Sequence, residues 1–149
     1  MSLYGLLLAT HVLAASIWIG GHLVLSLVVL PKALKQSSPA YLLTFEAGYE
    51  KIGIPSLMIQ VVTGLMLAYH YVPSPRQWLS FSNPFTSLIG LKIILLLATI
   101  FLAVHARFFL IPNLDQRSLS QLAWHIRIVT LLAVALALVG IGPRAGWLV

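Results

Sequence analysis

The chain of 149 residues has no cysteine, which excludes disulfides, thiolate metal sites and CxxC redox chemistry. Charge is nearly as scarce: only 8% of residues are Asp, Glu, Lys or Arg, against 60% hydrophobic, and mean hydropathy is +0.98. That balance lies far from soluble domains and marks an integral membrane protein. The net charge of +6 would raise nucleic acid as a partner for a soluble protein. Here the nine basic residues flank apolar segments, where they set topology and meet lipid headgroups, so the partner is the bilayer and not nucleic acid. The first apolar run also lacks the basic flank of a secretory leader. It stays uncharged from Ser2 to Leu30, longer than a leader's apolar core, and reads as a retained first transmembrane helix.

Four spans follow from the apolar runs and their punctuation, over about 3–30, 52–71, 84–111 and 120–141. Pro31 and Pro112 are read as the stops of the first and third. Ser37, Ser38 and Pro39 make a capped start for the segment Tyr41 to Lys51, which is interfacial or an extension of the second helix. Pro55 falls near the start of the second span, and Asn83 is the N-cap of the third. Ser118 to Gln121 reads as a capping box for the fourth. Short links between all four predict one domain: an all-α, antiparallel four-helix bundle in the membrane. Lys32, Lys35, Lys51, Arg107 and Arg117 gather at the first and third links, with Arg76 and Arg144 opposite. The positive-inside rule then puts those links in the cytoplasm and both termini on the periplasmic side of a bacterial inner membrane.

Histidine must carry any redox or soft-metal chemistry, and all five histidines lie within spans or at their edges. His11 and His22, in HVLAASIWIGGH, share one helix face about 16 Å apart, with Trp18 between them and Gly20 and Gly21 beside the second. By depth, His11, His70 and Lys92 lie toward the termini, and His22, His105 and His125 toward the basic links. Intramembrane ionisable groups point to function by default. A single buried histidine is commonly a structural one bonded to a carbonyl, but five in two layers favour a cofactor or metal. Haem b takes axial imidazoles from facing helices, so His11 with His70 would hold one haem, and His22 with His125 or His105 a second. Arg107 and Arg127, each two residues after a histidine, could pair with haem propionates. For Arg107 the simpler reading is snorkelling to the headgroups. Arg127, two turns inside its helix, should face the bundle, an aqueous cavity or an anion. Lys92 and His105 are about 220° apart on the wheel and cannot share a site. Copper is the alternative metal. Imidazole suits it, though Cu(I) prefers softer ligands than a chain with only Met1, Met58 and Met66 supplies.

HVLAASIWIGGH with Leu30-Pro31, Val62-Thr63-Gly64 and Gly90-Leu91-Lys92 resemble the CopD (copper resistance D) superfamily of four-span membrane proteins. That resemblance implies copper uptake or resistance in the bacterial inner membrane. The pattern of His11, Trp18 and Lys92 is also similar to HemJ-type protoporphyrinogen oxidases, and implies that His11 and Lys92 serve haem binding or activity. The remaining four histidines depart from the HemJ pattern. The leading expectation from the sequence is therefore a b-type haem protein with one or two haems, moving electrons between a quinone or another membrane redox partner and an acceptor. A copper permease and a HemJ-like oxidase are the alternatives, and a homo-oligomer or a subunit of a larger complex stays open.

Overall fold

The computed structural model describes residues 2–146, apart from the side chain of Arg144. Met1, counted above as a ligand, and the Arg144 side chain, counted for topology, lie outside what is described. Four long helices carry the chain: α1 (Leu3–Lys35), α2 (Pro39–Tyr71), α3 (Pro84–Asn113) and α4 (Leu119–Ala145). All four are long and apolar enough to cross a membrane, and the described residues contain no strand. About 20 helical residues cross a ~30 Å hydrocarbon layer. The 33 residues of α2 exceed this by several turns, and the surplus at its start carries Glu46, Glu50 and Lys51. Tyr41 to Lys51 is thus an extension of α2, and Pro55 falls well inside the helix.

Neither Pro31 nor Pro112 ends its helix, contrary to the sequence reading, and the two are handled alike. Leu25–Val29 and Ala106–Leu110 are wide turns, in which the N–H of the residue before each proline reaches back five residues: Leu30 to the Leu25 carbonyl, Ile111 to that of Ala106. A proline ring clashes with the preceding turn of a regular helix, and the extra residue in a π turn relieves that crowding. The helix continues through Pro31 to Lys35, and through Pro112 in a final 3-10 turn, Ile111–Asn113.

Helix starts follow local hydrogen bonding. Asn83 and Thr86 form a capping box: the Thr86 N–H donates to Asn83 Oδ1 (3.0 Å) and the Asn83 N–H to Thr86 Oγ1 (3.1 Å). Ser118 does not cap α4 as expected, because its side chain is already engaged one turn earlier. The Asp115 N–H donates to Ser118 Oγ (2.8 Å), and the Ser118 N–H to Asp115 Oδ1 (2.7 Å).

Around the bundle, α2 packs on α1, α1 on α4, and α4 on α3, while α2 and α3 approach each other only sparsely. Between lipid-bathed helices apolar burial gives little drive, so close approach over small residues matters most. Tyr49 of α2 shows this. Its ring lies where a side chain on Gly21 would stand, and within 2.8–3.3 Å of the position of a Cβ on Gly53. The main core, with Leu30, Ala33, Leu42, Leu119 and Leu122 almost fully buried, lies at the end of the first and third links.

Candidate functional site

The structure sorts the five histidines differently from the expected pairs. On the side of the termini, His11 turns onto α2, where its Nδ1 bonds Thr63 Oγ1 (3.0 Å). The Thr63 proton already goes to the Ile59 carbonyl (2.6 Å), so the His11 ring is the donor in this bond. A Cβ on Gly64 would stand 3.0 Å from the His11 ring, so the glycine admits the imidazole. Lys92 turns toward α4, its Nζ 3.7 Å from where a Cβ on Gly140 would be. No carboxylate pairs with that amine among the described residues. His70 sits apart from this group, exposed against Tyr4 at 5.1 Å between ring centroids. It lies two turns beyond Thr63 on α2, about 10 Å along the axis. His11 and His70 therefore do not form the expected pair.

On the side of the basic links, α1, α2, α3 and α4 surround a cavity of about 280 Å³ lined by Trp18, His22, Glu46, Tyr49, Glu50, Arg107 and His125 among apolar groups. His22 is 8% exposed. Its Nδ1 bonds the Trp18 carbonyl at 3.0 Å, and its ring lies 4.3 Å from Trp18 and edge-on to Tyr49. The Tyr49 hydroxyl donates to the same carbonyl at 2.9 Å. His125 repeats the arrangement on α4, with its Nδ1 3.0 Å from the Gln121 carbonyl. A carbonyl can only accept, so both rings carry their proton on Nδ1 and present an unprotonated Nε2. That nitrogen of His125 accepts from His105 Nδ1 at 3.0 Å, with the two rings stacked 11° from parallel. His105 Nε2 is then also unprotonated, between Phe101 and Phe109. Thr130 ties α4 to α1 by sharing its proton between the carbonyls of Ile126 (2.7 Å) and His22 (3.2 Å).

The arginines also part from expectation. Arg107, inside the wide turn of α3, reaches across to α2 and pairs with Glu50 Oε1 at 3.1 Å. Arg127 faces outward and lies over the Trp124 ring at 5.7 Å, not into the bundle or the cavity. The indole one turn back on the same helix accounts for this, offering a cation–π partner on the outer face.

As placed, His105 and His125 cannot both ligate one haem iron. Two imidazoles on one iron stand about 4 Å apart, given metal–nitrogen bonds of about 2 Å. His105 and His125 are closer and joined by a hydrogen bond. The cavity also falls just below the ~300–1,000 Å³ that drug-sized ligands need, and a porphyrin is larger still. A metal ion is another matter. Metal-binding histidines typically hold one ring N–H on a carbonyl and ligate through the other nitrogen, as His22 and His125 are prepared to do. No group of three or more His, Asp or Glu closes round one point among the described residues, so any ion there meets one or two protein ligands at a time.

Residues 43–142, two thirds of the chain, match the family model for copper resistance protein D. That stretch covers most of α2, all of α3 and nearly all of α4, including Glu46, Tyr49, His105 and His125; His11, Trp18 and His22 on α1 lie outside it. No curated protein and no solved structure matches the chain.

Proposed function

The chain belongs to the CopD (copper resistance protein D) family of membrane proteins, and from that premise we propose that it carries copper ions across the bilayer through its histidines. The supporting observation is that His22 and His125 both line the cavity between the helices, each with Nδ1–H held by the carbonyl four residues back. Both unprotonated Nε2 atoms are thereby oriented before any ion arrives. Imidazole suits copper. In the absence of cysteine the ion meets no thiolate deep enough to trap it, and conduction needs sites that bind weakly enough to release.

Passage is ligand exchange without redox change: a bond from copper to the next imidazole nitrogen forms as the bond to the last one breaks. Glu46, beside the Glu50–Arg107 ion pair, offers a carboxyl oxygen where a cation enters from the side of the basic links. His105 Nδ1 gives up its acceptor when copper takes His125 Nε2, so the His105 ring must turn, and its own Nε2 offers the next ligand. His11 and Lys92 lie outside this cavity, toward the termini. By the positive-inside rule the basic links face the cytoplasm of a bacterial inner membrane and the termini the periplasm.

The test is copper uptake into proteoliposomes under reducing conditions, with metal content of the purified protein measured in parallel. His22→Ala and His125→Ala should each lower uptake about tenfold or more, the scale of losses seen even for groups that merely support metal ligands. Uptake unchanged in the double variant, or a purified protein that carries haem and no copper, would refute the reading.

A further inference from the structure

The sparse contact between α2 and α3 leaves the cavity open toward the hydrocarbon of the bilayer. Its rim there consists of Ile54 on α2 and Val104 and Phe108 on α3, which are 50%, 46% and 68% exposed. The Glu50–Arg107 ion pair bridges the seam near one end and the Tyr71–Phe85 ring stack near the other. Deeper in, the walls are Leu57, Leu102, Ala103 and Val129, and the floor is the indole of Trp18. That indole is 7% exposed, and its N–H has no hydrogen-bond partner. In hydrocarbon no water can supply one, and an unmade bond of this kind is costly.

We propose that the α2–α3 seam admits the ring head of a quinone-type lipid from the bilayer, a ring carbonyl accepting the Trp18 N–H. Four features point to this occupant. The entrance faces the bilayer, so the ligand is lipophilic. The unpartnered group is a donor, so the ligand presents an acceptor oxygen. The rings of Trp18, His22 and Tyr49, all in the cavity wall, lie 4.3–6.4 Å apart between centroids, a surface that a planar ring matches better than a flexible acyl chain. A volume of about 280 Å³ takes one ring head with its isoprenoid tail left in the seam. The quinone head and copper would enter the same cavity, which His22 and His125 also line, and metal content measured in quinone-free protein separates the two proposals.

The experiment uses the whole protein in lipid nanodiscs and a photoreactive short-chain quinone, with labelled peptides mapped by mass spectrometry. Labelling should concentrate in residues 53–57 and 102–106, and should be competed by decylubiquinone but not by oleate. Trp18→Phe should weaken competition about five- to tenfold, the loss of one neutral hydrogen bond. Ala103→Phe, which fills the cavity from α3, should abolish the specific labelling. Labelling spread evenly over the lipid-facing helices, competition by oleate as strong as by decylubiquinone, or unchanged labelling in a folded Ala103→Phe variant would each overturn the proposal.

Discussion

Substituting Gly21 tests the packing that positions the cavity. An alanine there must displace the Tyr49 ring, since the ring occupies the space its methyl group would need. The ring cannot retreat along its own helix without meeting the backbone at Gly53. Overpacking of this kind costs about 1–3 kcal/mol. Moving Tyr49 also breaks its hydrogen bond to the Trp18 carbonyl, about 0.5–1.5 kcal/mol. Against these, alanine gains ~1 kcal/mol of helix propensity over glycine. The net is a destabilisation of about 1–3 kcal/mol, read as the free energy of unfolding in mixed micelles titrated with SDS and followed by circular dichroism. Gly20→Ala is the control: nothing lies within 4 Å of its added Cβ, so it keeps the propensity gain alone. In a Tyr49→Ala background the penalty at Gly21 should vanish, because the atom it clashes with is gone. Gly21→Ala as stable as Gly20→Ala, or equally destabilising with and without Tyr49, would refute the packing argument.

Two further outcomes follow from the polar groups. Lys92→Met should leave the protein as stable as before or more so, by up to about 3 kcal/mol, because a lysine at membrane depth is costly and no carboxylate repays it here; unfolding of this variant would show the amine to be a structural tie. Asp115 lies in the exposed third link, where hydrogen bonds from the Ser118 N–H and hydroxyl hold its carboxyl below the usual carboxylate range. A depressed folded value means that the turn is strengthened above about pH 4 and loses that support as pH falls through the folded value. The protection of the Ser118 amide, its exchange relative to the intrinsic rate at the same pH, should therefore fall in acid in the wild type, and Asp115→Ala should lack that protection throughout; equal protection in both across this range would count against it.

What was legible in the sequence was whatever one helix settles by itself. Four apolar runs, the Asn83 cap and the two depths of histidine required no knowledge of neighbours. The common face of His11 and His22 was equally legible, and both do turn onto α2, against Thr63 and Tyr49. Pairing needs two faces at once, and there the reading broke: His70 proved to be two turns from the ring it was to meet, while His105 and His125 met each other. The glycines were the available clue. Gly21, Gly53 and Gly64 each stand where a ring of another residue approaches, and small residues in an apolar span mark the faces along which helices close up.

The wide turns explain the rest, and they bear on function. A helical wheel assumes 3.6 residues per turn, and one additional residue in a turn displaces everything after it by about 100°. Prediction past Val24 on α1 and past His105 on α3 was therefore bound to lose the face. Arg107 is the clearest case. An unbroken helix offered no reason to aim it at Glu50, yet from within the wide turn it reaches α2. Each proline thus acts at a distance, through the turn that begins six residues before it, and each such turn opens within three residues of a histidine, His22 or His105. The backbone irregularities, the bridge that closes one end of the seam and the imidazoles proposed to pass copper all lie in the same half of the bundle. That half is where α2 and α3 must separate or close if the cavity is to change its access, and the two prolines are what make its helices irregular.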